Sequence, residues 1–393
     1  MKMYRFRVYP SKSQERLMKQ QCWLAKNLWN ELLEHSKETH RNFDKFPTKN
    51  TLAALTKESG LYSQVAQEIA RRVENSIWRY VKLRKAGNKD VGFPRFKSMI
   101  KLKSLHYPQK GFELGKKLKI TPFGEIQIVQ HREIKGTIKT LTLKKEPSGK
   151  WFACFAVEET PIIKASNEGT RIGVDLGLKT LATFSNGIII KNPRHVRKHQ
   201  KKIAFLQRES DRKKKGSKNR MKAKRLVAIE FEKLKNTRRD FLHQLSRGMV
   251  RSYSFIALED LQSQELAQQN FGKQINDAGW GELANMLRYK AESAGCEVVF
   301  VNPEGTTKTC CICENRKDMP LSKRTYICDN CGNNMDRDLN ASYNILKRAT
   351  EGHSGSKACL DVSMETSMKQ EAHPLHALRE GISFSQSEKV DTI

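Results

Sequence analysis

Residues 309–341 read TCCICENRKDMPLSKRTYICDNCGNNMDRDLNA and carry the strongest structural signal in the chain. The segment holds two Cys-x-x-Cys pairs, Cys310 with Cys313 and Cys328 with Cys331, separated by fourteen residues. This spacing is typical of a four-thiolate zinc site, in which each pair forms a knuckle and the loop between them brings the knuckles together. Because four thiolates leave the ion no open position, the pattern predicts one structural Zn²⁺.

The same segment contains a competing thiol and ends in acidic residues. Cys311 could compete with Cys313 as a ligand, but the two-residue spacing favours Cys313 and leaves Cys311 pointing away. Asp338 lies seven residues past the last cysteine, directly before an apolar helical pattern. We therefore expect the zinc loop to position the Asp338 carboxylate, whereas Asp336 falls two residues before the helical start.

The charge of the chain indicates a polyanionic partner. The 393 residues include 73 Lys and Arg against 42 Asp and Glu, a formal net charge of +31. An excess of this size favours nucleic acid over a merely solvated surface. The sequence has no apolar run near 18 residues and no apolar signal-peptide core at its start, so we expect no membrane partner. These features predict a cytoplasmic protein that associates with the nucleoid when bound to DNA.

Hydrophobic periodicity predicts an α+β multidomain chain. Tyr4–Tyr9 alternates like a half-buried strand, and Ser11 with Gln14 forms a capping box for a long helix to about Glu38. Short strand patterns separated by Gly and Pro then favour a small antiparallel barrel. The predicted regions are a β-barrel domain (1–10 and 91–163), an inserted helical unit (11–90), an α/β domain (164–305 and 336–350), a zinc-binding insertion (306–335) and a flexible tail (351–393).

The α/β domain shows the element order of a ribonuclease H-like fold. Three meandering strands are followed by a very basic helical stretch, and then strands and helices alternate. The predicted elements are strands at 172–175, 178–184, 188–190, 254–258 and 298–301, and helices within 194–250, at 279–294 and at 340–349. In such a sheet the first and fourth strands are neighbours.

Three acids occupy comparable positions in this order. Asp175 ends the first strand, before a glycine that would let a substrate backbone approach, and Glu259 directly follows the fourth strand. They would face each other across one sheet edge, with Asp338 brought alongside by the last helix. Clustered carboxylates repel unless cations neutralise them, so the three predict a site for two Mg²⁺ ions that hydrolyses phosphodiesters. Asp260 is the alternative to Glu259, but strand alternation should point it to the opposite face.

These motifs together resemble the TnpB (OrfB) proteins of insertion sequences, which are similar to the ancestors of compact type V CRISPR nucleases. The resemblance covers about residues 3–350. It rests on YRFRVYP (4–10), GFPRFK (92–97), RIGVDLG (171–177), LEDL (258–261), WGE (280–282), the two Cys-x-x-Cys pairs and RDLNA (337–341).

The resemblance implies an RNA-guided DNA endonuclease that acts in transposition and DNA recombination. A guide RNA from the transposon end would bind one subunit, and a RuvC-type site would cut double-stranded target DNA next to a short transposon-adjacent motif. The barrel would be the family's wedge domain and the helical unit its recognition domain. The resemblance assigns catalysis to Asp175, Glu259 and Asp338 and zinc binding to the four paired cysteines.

One position departs from the family pattern, and several basic residues are candidate nucleic-acid contacts. Glu314 stands where the family has a glycine after the first knuckle, so we expect Asn315 to take the left-handed conformation there. For the nucleic-acid backbone, the candidate contacts are Arg95, Lys97, Arg212 and Lys213.

Two alternatives belong to other functional classes. An RNA-guided or zinc-dependent DNA-binding regulator would bind without cutting, and the intact acids argue against it. A transposase, or an accessory protein to one, would recognise paired transposon ends by itself. The sequence shows no separate end-binding domain for that role.

Overall fold

The computed structural model describes residues 1–98, 102–159, 169–261, 266, 268, 272–320 and 322–351. The predicted boundary at 163/164 and nearly all of the predicted tail lie outside these residues. The chain divides into two compact units, Met1–Thr160 and Pro161–Ile393. Together they form a mixed α/β architecture.

The first unit contains a strongly curled antiparallel sheet of seven strands. The strands are β1 (Lys2–Tyr9), β2 (Ser104–Tyr107), β3 (Phe112–Leu114), β4 (Lys117–Ile120), β5 (Gly124–Val129), β6 (Thr137–Lys145) and β7 (Trp151–Glu158). Their order is β2-β6-β7-β1-β5-β4-β3, so β1 joins the sheet as expected. The rings of Tyr107 and Phe112, on the two edge strands, lie 6.5 Å apart. The sheet is therefore nearly closed into a barrel.

Three helices are inserted between β1 and β2, namely α1 (Lys12–Phe43), α2 (Lys49–Ala54) and α3 (Ser63–Lys85). The predicted capping box begins α1, because the Gln14 amide donates to Ser11 Oγ and the Ser11 amide donates to Gln14 Oε1. The helix continues past the predicted end near Glu38 and stops where Asp44 takes a left-handed conformation, with φ of 52°. The polar residues of the last turns thus prolong the helix instead of ending it.

The second unit is built on a five-stranded mixed sheet. Its strands are β8 (Thr170–Leu176), β9 (Thr180–Phe184), β10 (Ile189–Lys191), β11 (Tyr253–Glu259) and β12 (Glu297–Val301), in the order β10-β9-β8-β11-β12. The first three strands meander antiparallel, whereas β11 runs parallel to both β8 and β12. The expected neighbours β8 and β11 therefore pair directly.

Five helices accompany this sheet in the part of the unit that the structure describes. They are α4 (His195–Asp211), α5 (Lys218–Ser252), α6 (Gly272–Ala278), α7 (Trp280–Ala294) and α8 (Arg337–Glu351). The basic stretch predicted as one helical region is two helices, because Ser217 caps the start of α5 by accepting from the Arg220 amide. The last helix begins at Arg337, ahead of the apolar pattern at 340–349, because Asp336 accepts from the amides of Asp338 and Leu339.

The segment between β12 and α8 carries a small hairpin. Its strands β13 (Thr325–Ile327) and β14 (Asn334–Asp336) pair antiparallel and lead directly into α8. Within the described ranges, none of the helices is long and apolar enough to cross a membrane.

Candidate active site and metal centre

The structure brings four thiols together between β12 and α8. The sulfur atoms of Cys310, Cys313, Cys328 and Cys331 all lie within 4.8 Å of one another and could hold a metal ion. The Cys313–Cys328 sulfur distance is 3.4 Å and the Cys310–Cys331 distance is 3.7 Å. Thiolates bound tetrahedrally to zinc at about 2.3 Å would be about 3.8 Å apart. The spacing of the thiols therefore fits a structural zinc ion.

The electrostatics of these thiols also call for a cation. Hydrogen bonds from the Asn315 backbone and the Asn330 side chain lower the pKa of Cys313 to about 6. The Asn333 amide lowers the pKa of Cys331, but burial and the neighbouring sulfurs outweigh it and raise that pKa to about 12. Four thiolates cannot share this space without a positive charge among them.

Cys311 lies outside the group. Its sulfur is 3.7 Å from Met335 Sδ, and burial, the largest influence, raises its pKa to about 11. Cys311 is not one of the four cysteines whose sulfur atoms lie within 4.8 Å of one another. The structure thus places Cys311 as the spacing predicts.

Both knuckles use the same turn. The Glu314 amide donates to Cys310 O at 3.0 Å, and the Gly332 amide donates to Cys328 O at 3.1 Å. Glu314 has φ of 62° and Gly332 has φ of 71°, so both are left-handed. The expectation that Asn315 takes this conformation is wrong. The turn closes on the residue directly after the second cysteine, so Glu314 itself must adopt the glycine-like backbone.

Asp175 and Glu259 lie opposite each other on neighbouring strands. The parallel register pairs Val174 with Leu258, which puts the two acids side by side near the carboxyl ends of β8 and β11. Glu259 is 9% exposed, and Asp175 is partly buried. The sheet alone therefore places two of the three predicted acids together.

Close packing of α8 on β8 brings the third acid to the same edge. A Cβ added to Gly173 would lie 2.0 Å from Ser342 O and 2.9 Å from Leu346 N. Only glycine permits this approach. Asp338 lies in the first turn of α8, one turn before Ser342, and Asp175 shares the face of β8 that carries Gly173. The helix therefore presents Asp338 towards Asp175.

Burial acts on two of the three acids, and neighbouring negative charges act on Asp175. Burial raises the pKa of Asp175 well above its usual value, and the charges of Glu259 and Asp338 raise it further, against the opposing charge of Arg337. Burial also raises the pKa of Glu259, although the hydrogen bond from Thr306 lowers it. A bound cation would offset the repulsion that Glu259 and Asp338 exert on Asp175. All-oxygen donors of this kind suit hard divalent ions such as Mg²⁺.

Two arginines hold the Asp338 carboxylate. Arg337 donates to Asp338 Oδ1 from Nη2 at 2.9 Å and from Nε at 3.1 Å, and Arg324 Nη1 lies 3.5 Å from Oδ2. Among the described residues, the three acids do not form a ligand group as compact as that of the cysteines. Sequence reasoning assigned neither arginine a role at the site, although Arg337 belongs to the motif RDLNA (337–341).

The competing acids have other partners or positions. Asp260 is exposed, and its amide donates to Val301 O at 2.8 Å on the neighbouring edge strand. Asp336 caps α8.

Gly177 lies beside a backbone carbonyl, because an added Cβ would lie 2.8 Å from Thr180 O. Local packing thus requires this glycine, and its predicted approach to substrate stays a prediction.

Family models match three parts of the chain. The OrfB_IS605 model, described as "Probable transposase", matches residues 154–270, and the helix-turn-helix model of the same family matches residues 1–45. A model described as "Cas12f1-like, TNB domain" matches residues 280–345, which include the four-cysteine group. The chain belongs to the TnpB (OrfB) family.

Curated relatives of this TnpB-family chain include proteins of bacteria and archaea. A protein of Streptomyces pristinaespiralis, provisionally named an RNA-guided DNA endonuclease, is 39% identical over 53% of this chain and 52% of its own length. The similarly named InsQ of Escherichia coli is 26% identical over 87% of this chain and 91% of its own length. TnpB-like protein MJ1635 of Methanocaldococcus jannaschii is 29% identical over 47% of this chain and 44% of its own length. The chain thus spans about half of two of these relatives and most of InsQ.

A solved structure shares the fold. The protein in a cryo-electron microscopy structure of a Cas12f1–sgRNA–target DNA complex superposes with a TM-score of 0.55 at 14% identity, covering 86% of this chain and 83% of that one. Residues 1–45, which the helix-turn-helix model matches, form one strand and one long helix in this TnpB-family chain.

The four predicted nucleic-acid contacts of this TnpB-family chain lie on two units. Arg95 and Lys97 belong to the first, where Lys97 Nζ lies over the Trp29 ring and burial, with the charge of Arg72, lowers the Lys97 pKa to about 8. Arg212 and Lys213 follow α4 in the second, and Arg212 pairs with Glu209 at 2.8 Å.

Proposed function

We propose that the chain is an RNA-guided DNA endonuclease of an insertion sequence, which cuts target DNA next to a short transposon-adjacent motif. The observation that carries the proposal is the placement of Asp175, Glu259 and Asp338 at one sheet edge, where the carboxyl pKa values of Asp175 and Glu259 are raised. The names of the Streptomyces and Escherichia coli relatives and the nucleic acids in the Cas12f1 complex support it.

Each of the three acids would bind catalytic cations from the side on which its strand or helix lies. Asp175 and Glu259 would hold catalytic cations from the sheet side, and Asp338 would hold them from the helix side. Two Mg²⁺ ions, when bound, would activate a water and stabilise the leaving oxygen of the phosphodiester. The side chain of Arg324 is 41% exposed, and it neutralises Asp338 at the rim of the site.

The domain roles follow the family resemblance. Residues 164–305 with 336–350 would be a RuvC-like nuclease domain of the ribonuclease H type, which agrees with the strand order β10-β9-β8-β11-β12. Residues 306–335 would be a zinc-ribbon-like insertion with one structural Zn²⁺. Residues 1–10 with 91–163 would be the wedge domain, and residues 11–90 the recognition helices.

The net charge of +31 supports a guide RNA and double-stranded target DNA as partners. One subunit would bind each RNA. Arg95, Lys97, Arg212 and Lys213 are proposed contacts to the nucleic-acid backbone, where each would contribute to affinity without reading sequence.

Substitution of each acid by its amide tests the proposal. We expect Asp175→Asn, Glu259→Gln and Asp338→Asn each to reduce Mg²⁺-dependent cleavage by about three orders of magnitude, because metal ligation provides several kcal/mol of charge stabilisation. Nucleic-acid binding should change little. Asp260→Asn is the matched control, since Asp260 is adjacent to Glu259 but exposed, and it should cut like the wild type. Retained cutting by any of the three amide variants would overturn the assignment.

One observation favours a second candidate, a DNA-binding regulator that does not cut. Both arginines form ion pairs with Asp338, so part of its charge is balanced without a metal ion. Guided binding by the wild-type chain without cleavage at any Mg²⁺ or Mn²⁺ concentration would support the regulator.

A further inference from the structure

A buried polar network connects the first zinc knuckle with two of the three acids. Its central side chains are those of Thr306, Asn340 and Asn344, which are 2%, 0% and 5% exposed. Polar groups at such depth destabilise a fold unless they are hydrogen-bonded. Their partners therefore indicate what each of the three side chains does.

Thr306 holds one oxygen of Glu259. Its hydroxyl oxygen lies 2.5 Å from Glu259 Oε1 and 3.1 Å from Pro303 O, and the shorter of these contacts is to the acid. An ionised carboxylate can only accept, so in the metal-binding form of Glu259 this hydroxyl is the donor. The bond fixes one carboxylate oxygen at the end of β11 and thereby sets the direction of the other. Thr306 itself lies four residues before the first zinc ligand, Cys310.

Asn340 and Asn344 join the same backbone to α8. Their Nδ2 atoms both donate to Thr309 O at 2.7 Å, and Asn344 also donates to Thr306 O at 2.8 Å. Asn340 Oδ1 accepts from the Cys311 amide at 3.0 Å. The backbone on both sides of Cys310 is thus hydrogen-bonded to the helix whose first turn carries Asp338.

We propose that Thr306, Asn340 and Asn344 are positioning residues that couple the zinc knuckle to a divalent-cation site at the acids. An ordered knuckle fixes Glu259 through Thr306 and fixes Asp338 through the two asparagines. The inference rests on the proposed function, and it assigns the zinc loop a role beyond its own folding. Coupling of this kind is reciprocal, so occupancy of either metal site strengthens the other.

Binding of Mn²⁺ to the nucleic-acid-free, zinc-loaded full chain tests the coupling without relying on cleavage. Titration followed by electron paramagnetic resonance gives the affinity, and loss of the site in Asp175→Asn identifies it. We expect Thr306→Val to weaken Mn²⁺ binding by roughly 10- to 100-fold, the usual effect of removing a hydrogen-bond partner of a metal ligand. Its zinc content should stay at the wild-type value. Thr306→Ser should restore Mn²⁺ affinity, and the neighbouring Thr307→Val should match the wild type.

The asparagines provide a second arm that does not depend on the Thr306 variant. Asn344→Ala should weaken Mn²⁺ binding while zinc stays bound, because it removes two of the hydrogen bonds between α8 and the knuckle backbone. Wild-type Mn²⁺ affinity in both Thr306→Val and Asn344→Ala would overturn the positioning role alone. Loss of zinc in Thr306→Val would also overturn it, by showing that the hydroxyl serves only the loop. A wild-type chain with no Mn²⁺ site sensitive to Asp175→Asn would overturn the proposed function as well.

Discussion

Gly173→Ala, which adds a single methyl group, should reduce DNA cleavage without reducing nucleic-acid binding. The added Cβ would lie 2.0 Å from Ser342 O and 2.9 Å from Leu346 N, whereas Cβ contacts below 3.0 Å essentially do not occur. Both neighbours are backbone atoms and cannot rotate away. Helix α8 must therefore move from β8 by about 1 Å, and it moves Asp338 away from Asp175.

The expected magnitudes follow from this displacement. A 1 Å misplacement of reacting groups costs about 100-fold in rate. Overpacking of a well-packed interface costs about 1–3 kcal/mol of stability. We therefore expect Mg²⁺-dependent cleavage to fall about 100-fold, the melting temperature to fall by several degrees, and nucleic-acid affinity to stay near the wild-type value.

A matched glycine provides the control. An added Cβ at Gly115 would lie 3.8 Å from Lys117 O, an ordinary contact, and Gly115 is not left-handed. Gly115→Ala should cut at the wild-type rate. Cleavage by Gly173→Ala within about three-fold of the wild type would refute the close-packing explanation, because the rate penalty for a shifted acid would then be absent.

Three further predictions concern the acids and the metal centre. Because the folded-state pKa of Asp175 is raised, the free energy of unfolding without Mg²⁺ should fall as pH rises from the ordinary carboxyl range through that pKa. Asp175→Asn should remove this loss. Chemical denaturation at a pH above the raised pKa should therefore find the zinc-loaded variant more stable than the wild type. The expected difference is ~1.4 kcal/mol for each pH unit between the folded-state and unfolded-state pKa values. Glu314→Gly should raise zinc affinity roughly five-fold in a Co²⁺ competition assay, because it relieves the strain of a left-handed backbone at a residue with a side chain, whereas Gly332→Ala should lower zinc affinity. Zinc affinities equal to that of the wild type in both variants would contradict the shared turn. Cys328→Ser should lose zinc and cleavage together, and full cleavage by the zinc-free variant would show that the loop is dispensable.

Local signals in the sequence predict much of the second unit and of its candidate site. The spacing of the cysteines predicts the four-thiol group because knuckle geometry depends on residues that are close in the chain. The pairing of β8 with β11 follows from the element order, and that pairing places Asp175 beside Glu259. The capping box at Ser11 is likewise a local pattern.

Other features depend on contacts that no spacing encodes. The left-handed backbone at Glu314 is imposed by the hydrogen bond that closes the knuckle, although its side chain disfavours it. The earlier start of α8 is different, because the cap that Asp336 supplies is a local signal that the apolar pattern alone does not include. Arg324 and Thr306 reach acids distant in sequence, so their partners emerge only when the zinc loop folds against the sheet edge.

Sequencing of the RNA that co-purifies with the chain, followed by a cleavage assay with that RNA, tests guided cleavage most directly. We expect a discrete RNA whose variable end programs Mg²⁺-dependent cutting of a matching plasmid library next to one short motif. Asp175→Asn should retain the RNA and leave the library intact. Heterogeneous RNA, or a discrete RNA with no cutting of matched DNA by the wild-type chain, would contradict an RNA-guided nuclease.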